Sequence, residues 1–180
     1  SQLMQYGIMG AAYSQYILGR ENPKVGLLNI GEEEAKGTDF IKETFGLLEK
    51  SSLNFIGNVE GKDLLSGKCD VIICDGFVGN VALKVFESAA ETMQTFLKRH
   101  LLSNPLGKIG LLFLAPSLKR FKKELDYSEH GGAPLMGVNG VVIIGHGRSN
   151  KKAIKNAIRV AKEEVERKVN EKILEAIGKK

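Results

Sequence analysis

The chain has 180 residues, 43% of them hydrophobic and 26% charged, the balance of a globular protein that can bury a core. Lys and Arg number 26 against 21 Asp and Glu, for a net charge of +5, but seven of the basic residues (Lys98, Arg99, Lys108, Lys119, Arg120, Lys122 and Lys123) fall between Thr92 and Lys123, a stretch without an acid. Elsewhere 19 basic residues face 21 acidic ones, so the surplus is a local stripe and a uniformly basic nucleic-acid binder is disfavoured.

In chain order, Gln2 to Leu18 places apolar residues at a helical period. This helix starts without a cap, as expected of a chain cut inside an element. Lys24 to Ile30 is short, apolar and closed by Gly31, which predicts a buried strand. Thr38 or Asp39 caps a helix running to about Lys50. Leu53 to Ile56 reads as a second strand and Cys69 to Cys74 as a third. Asn80 is expected to start a long helix reaching about His100. Val141 to Ile144 reads as a fourth strand, and Ser149 or Asn150 caps a last helix to about Ile177. Apolar strands alternating with helices predict an α/β fold, a mostly parallel sheet with flanking helices.

Each predicted strand runs into a polar loop that carries glycine: Gly31 to Gly37, Gly57 to Gly61, Asp75 to Asn80, and Gly145 to Asn150. In open α/β sheets the loops at the carboxyl ends of strands build the ligand crevice. Two of these loops lead into helix N-termini, whose free N–H groups attract an anion. Loops of this kind need glycine and capping residues in any case. Four together favour a crevice, and an anionic ligand, without identifying it.

Familiar catalytic motifs are missing. There is no Walker A sequence, no GxGxxG after a strand and no GxSxG elbow. The three histidines are scattered, and His146, in a predicted crevice loop, fits a backbone-bonding role better than a general base. The acidic run Glu32 to Glu34 reads as a solvated loop rather than a metal site. Cys69 and Cys74 lie at an odd spacing in an apolar run, which disfavours a disulfide between them. So few thiols suggest a cytoplasmic protein. Apolar runs fall far short of the roughly 20 residues a membrane-spanning helix needs.

The blocks KVGLLNIGEEEAKG, NFIGNVEG, CDGFVGNVALK, GGAPLMGVNG and HGRSN, in this order, closely resemble those of the bacterial phosphate acyltransferases, the PlsX family. The resemblance spans nearly the whole chain, from about Gln2 to about Ile177. It implies a fold similar to that of the isocitrate and isopropylmalate dehydrogenases. It also implies conversion of acyl-acyl-carrier-protein and inorganic phosphate to acyl phosphate and free carrier protein, without a cofactor or metal, in bacterial phospholipid synthesis. Family members are nearly twice this long, so the resemblance makes residues 1–180 the C-terminal portion of one α/β enzyme, and the fragment alone is expected to lack activity. Members are typically homodimers, cytoplasmic and peripherally attached to the inner face of the membrane. Arg148 stands where the family usually has a small residue, and His130 where an aromatic is common.

By the same resemblance the catalytic lysine and asparagine of the family fall on Lys36 and Asn80. Their chemistry follows from residue type: an ammonium holds phosphate as a point charge, and a neutral amide donates to a thioester oxygen that gains charge. Phosphate is itself the nucleophile, which accounts for the missing triad. Gly31, Gly37, Asp75, Gly76 and Gly79 would shape the phosphate and substrate loops, with Ser149 and Asn150 adding donors. A solvated surface role for Lys36 stays open. So do a phosphotransacetylase using acyl-coenzyme A, a dehydrogenase of the related fold, and a non-catalytic membrane-binding fragment.

Residues 101–126 hold the basic stripe on an amphipathic pattern, expected as a helical insertion. At 100° per residue Leu114, Leu118, Phe121 and Leu125 fall on one side, and Lys119, Arg120, Lys122 and Lys123 on the other. Pro116 is expected to start a second helix rather than lie inside one. Three readings remain open: packing on the protein's own core or a dimer partner, attachment to an anionic membrane surface, and docking of the acidic carrier protein.

Overall fold

The computed structural model describes residues 2–124, 127–129 and 131–178, with only the backbone at residues 122–124 and 127. His130, Leu125 and the side chains of Lys122 and Lys123 therefore lie outside the described parts. The chain divides into two compact units. The first holds Ser1–Gly76, Pro134–Ile144 and Arg159–Lys180, and the second Phe77–Ala133 and Gly145–Ile158.

The first unit is built on a parallel three-stranded sheet. Its strands are β1 (Lys24–Leu28), β2 (Asn54–Val59) and β3 (Val71–Ile73), in the order β2-β1-β3. As the central strand, β1 buries Val25 and Leu27 completely, which is why it is apolar on both faces. Helix α1 (Gln2–Tyr16) packs against this sheet, and Gly7 makes the approach close. A Cβ there would stand 2.7 Å from Ile73 Cδ1. Helix α2 (Asp39–Glu49) begins as expected, with the Thr38 hydroxyl accepting the Ile41 N–H. Leu3, Ala11, Val25, Leu27, Leu48 and Ile73 form the core.

Three expectations need correction here. Strand β2 is longer than predicted, because Gly57 to Val59 belong to it rather than to the loop. Val25 lies opposite Phe55 but Leu27 opposite Asn58, so β2 carries one extra residue, a bulge that Gly57 absorbs at φ +93°. Glycine was read as a loop signal where it marks a kink inside a strand. The predicted fourth strand shrinks to β5 (Ile143–Ile144), which pairs with β4 (Ala133–Pro134) in a separate two-stranded sheet. The last helix is two, α5 (Lys151–Glu166) and α6 (Val169–Gly178). The break falls at Lys168, whose φ of 52° is left-handed. It lets α6 turn Val169 and Ile173 onto Met9 and Ala12 of α1 in a second core cluster.

The second unit contains α3 (Gly76–Leu102, whose first residue belongs to the first unit) and α4 (Pro105–Glu124). Asn104 caps α4 by accepting the Gly107 N–H at 2.6 Å, and Pro105 takes the first helical position. Pro116 lies inside α4 instead of starting a helix of its own. A capped start at Asn104-Pro105 outcompetes the later proline, whose lost N–H bond is a local cost. No described residue of α3 is fully buried, and Val85, Met93, Phe96 and Leu97 are all exposed. Along α4, Leu106, Ile109, Leu112, Phe113, Leu114 and Phe121 are exposed as well. The parallel sheet and flanking helices give a mixed α/β protein.

Candidate active site

Because β1, β2 and β3 run parallel, their carboxyl ends share one edge, where β1 and β3 pass into segments singled out above. From β1 the chain enters the loop Gly31 to Gly37; from β2 it enters a 3-10 turn, Gly61–Leu65; from β3 it reaches Asp75 and Gly76. The sheet thus brings Gly31, Lys36, Gly37, Asp75 and Gly76 to one edge of the first unit.

The lysine loop is held at several points. Lys36 N–H donates to the Glu33 carbonyl at 3.1 Å. Asn29 Nδ2 donates to the Lys36 carbonyl at 3.0 Å, while its Oδ1 accepts the Ile30 N–H at 2.8 Å. Asn58 Nδ2 reaches the Glu33 carbonyl at 3.0 Å from β2. Gly37 sits at φ +87°, and a Cβ there would stand 2.5 Å from Asn29 Oδ1. Gly31 is buried under the loop, and its Cβ would lie 3.3 Å from Lys36 Cγ. Lys36 itself is exposed, and its ammonium forms no ion pair among the described residues.

The acidic run is exposed, and Glu32 within it is also ion-paired. Its Oε1 accepts Lys68 Nζ at 2.7 Å and lies 4.0 Å from Lys62 Nζ. Lys68 also pairs with Asp63 at 3.6 Å, and Lys62 with Glu60 at 3.2 Å. The Lys68 hydrogen bond holds the Glu32 carboxyl below its ordinary range, and the same bond raises Lys68. The Glu60 N–H, followed by the lysines, lowers Asp63. This network clasps the lysine loop to the turn after β2. Burial pushes the Cys74 and Cys69 thiols up, so neither is an activated nucleophile.

In the second unit, Gly79 and Asn80 lie in the first turns of α3. The helix begins at Gly76, so Asn80 is its fifth residue and not its start. Aspartate and glycine before an apolar run are as good a helix opening as glycine and asparagine, and the earlier one is used. Asn80 is exposed. At the start of α5, Asn150 Oδ1 accepts the Ala153 N–H at 2.9 Å, confirming the predicted cap and leaving only its Nδ2 as a donor. Ser149 Oγ is buried without a hydrogen-bond partner among the described residues. His146 Nδ1 accepts the Arg148 N–H at 3.0 Å, the backbone-bonding role expected of it. On α4, Leu118 is half-buried, while Leu114, Lys119, Arg120 and Phe121 are exposed.

Sequence reasoning passed over Asn29, Asn58 and the Glu32–Lys68 clasp. An asparagine at the end of each of two apolar strands was the available signal, since a polar amide there needs a partner. The cleft of about 270 Å³ in the first unit lies elsewhere: Asn22, Pro23, Ser52 and Asn54 line it at the amino ends of β1 and β2. It is unrelated to the lysine loop.

Comparison with known proteins bears on this arrangement. A family model described as "Fatty acid synthesis protein" matches residues 1–172. The phosphate acyltransferase of Brevibacillus brevis is 51% identical over 178 residues, 99% of this chain and 53% of its own length. That of Dictyoglomus turgidum is 54% identical over 178 residues, 98% of this chain and 53% of its length. A third, from Desulfitobacterium hafniense, is 55% identical over 165 residues, 91% of this chain and 49% of its length. The chain spans about half the length of the curated relatives it matches.

Proposed function

The chain belongs to the fatty acid synthesis protein family, and from that premise we propose that the full-length protein is a phosphate acyltransferase acting on acyl-acyl-carrier-protein. A phosphate oxygen attacks the thioester carbonyl carbon. The C–O bond forms first, the C–S bond then breaks, and the departing sulfur gains the proton that hydrogen phosphate loses, giving acyl phosphate and the carrier's thiol. The observation that carries this reading is the lysine loop: an ammonium without an ion-pair partner among the described residues, on a loop braced at both ends, where three parallel strands finish. Lys36 holds phosphate by charge without taking its proton, so the nucleophile keeps its reactivity. Asn80 donates its amide to the carbonyl oxygen as charge develops there. Gly31, Gly37, Asp75, Gly76 and Gly79 shape the loops, and Ser149 and Asn150 offer further donors.

The test is phosphate-dependent release of free carrier protein, with acyl phosphate trapped by hydroxylamine. Asn80→Ala is expected to lower kcat roughly 100- to 1,000-fold, the usual loss on removing one oxyanion donor. Near-normal turnover would remove Asn80 from the mechanism.

Among the described residues no helix is long and apolar enough to cross a membrane. We read the α4 segment as a peripheral contact. Leu114, Leu118 and Phe121 would enter the headgroup boundary of an anionic bilayer, with Lys119 and Arg120 above it, each basic residue contributing about 1 kcal/mol. The same stripe suits the acidic carrier protein, and the exposed apolar face of α3 suits a homodimer. Flotation with anionic and neutral liposomes separates lipid from protein contact: loss of anionic-liposome binding on Leu114→Glu supports the membrane role, and no binding by the wild type removes it.

A further inference from the structure

We propose that Asn58 is a positioning residue for Lys36, acting through the backbone of the 31–37 loop; this rests on the phosphate-holding role given to Lys36. Asn58 is 4% exposed, beside the completely buried Val59 and opposite the completely buried Leu27. An amide in such a place is unfavourable unless both its ends are bonded. Only one is. Nδ2 donates to the Glu33 carbonyl at 3.0 Å, while Oδ1 is buried without a partner among the described residues. A leucine of similar volume would fill the space with no polar atom to desolvate, so core packing does not account for an asparagine.

What Nδ2 does supplies the reason. The Glu33 carbonyl that it grips is the one that accepts the Lys36 N–H. Asn29, directly after the neighbouring strand β1, grips the Lys36 carbonyl. The two asparagines thus fix both polar groups of the Lys36 peptide, one directly and one through Glu33, and leave its ammonium exposed. The bulge in β2 sets the register that brings Asn58 opposite Leu27, next to the end of β1. A point charge that must meet phosphate at one distance gains from such bracing, because a misplacement of about 1 Å can cost on the order of 100-fold in rate.

The experiment is steady-state kinetics of acyl phosphate formation by the full-length protein, with phosphate and acyl donor varied separately. Asn58→Leu is expected to lower kcat/KM for phosphate by roughly 10- to 100-fold, while KM for the acyl donor stays within about two-fold. Should Asn58→Leu fail to accumulate, Asn58→Asp, which removes the donor at constant volume, gives the same readout. A cycle with Lys36→Ala distinguishes the two claims. In the Lys36→Ala background Asn58→Leu should add less than about two-fold. If Lys36→Ala is impaired but Asn58→Leu is normal, or if the two losses multiply, positioning is overturned and the role of Lys36 stands. If Lys36→Ala leaves phosphate kinetics unchanged, both fall.

Discussion

Gly37→Ala perturbs the lysine loop at a single atom. Gly37 has φ +87°, where a Cβ costs about 1–2 kcal/mol of backbone strain. The new methyl would also lie 2.5 Å from Asn29 Oδ1 and 3.1 Å from Nδ2, so the Asn29 side chain must leave. Two hydrogen bonds go with it, to the Lys36 carbonyl and from the Ile30 N–H, at about 1 kcal/mol each. Against this, alanine stabilises by about 0.4–1 kcal/mol through the unfolded chain. The net loss is about 2–3.6 kcal/mol, or at least several degrees in Tm for a chain of this size. Thermal unfolding reads the first consequence and phosphate-dependent turnover the second, which should fall at least ten-fold. Gly46→Ala is the control of opposite sign: it is interior to α2 with open space around its Cβ, so it should raise stability by about 0.5–1 kcal/mol and leave turnover alone. A Gly37→Ala protein as stable and active as the wild type would refute the bracing of the loop.

Three further predictions concern the first unit. Leu48→Ala removes a completely buried core side chain and should cost about 2–5 kcal/mol in urea unfolding; a loss below 1 kcal/mol would mean the core is misplaced. Glu164 is 5% exposed with Oε1 lacking a partner among the described residues, and burial raises its carboxyl above the ordinary range. A raised acid stabilises below its unfolded pKa of about 4.3 and loses that contribution as pH rises through the folded value. Glu164→Gln should therefore gain stability over wild type between about pH 5 and 8, and a variant less stable at pH 7 would contradict this. Glu32 and Asp63 are shifted the other way, so their clasp is present above the ordinary carboxylate range and is lost as pH falls through the lowered values. In an NMR titration the amides of 31–37 should hold steady down to about pH 4 and move below it, and Glu32→Gln should change that step; movement already at pH 6 would argue against the clasp.

Much of this was legible in the residues, and the misses have physical causes. Strand β1 and helix α2 are specified locally, by an apolar run and by Thr38 at a cap; α2 appears as predicted, while β1 stops at Leu28, two residues short of the predicted Ile30, which is exposed. The bulge in β2 was not, because Gly57 signals a positive φ without saying whether the ladder continues beyond it. Val141 to Ile144 shrank to Ile143–Ile144 and paired outside the parallel sheet, because an apolar quartet does not name its pairing partner. At the site, loop order pointed to the glycine-bearing segments, and the family resemblance, not residue type or spacing, pointed to Lys36. Asn58 and Lys68 emerge only once strand order sets 58 and 68 beside 33 and 32, since those bonds join positions 25 and 36 residues apart.

The central claim is that Lys36 holds the phosphate that attacks the thioester. Its most direct test is the rate of acyl phosphate formation against phosphate concentration, for full-length wild type and Lys36→Ala with long-chain acyl-carrier protein. A phosphate-dependent wild type and a variant with kcat/KM for phosphate reduced at least 100-fold, its acyl-donor KM little changed, is the predicted result. Equal phosphate dependence in the two proteins would contradict it.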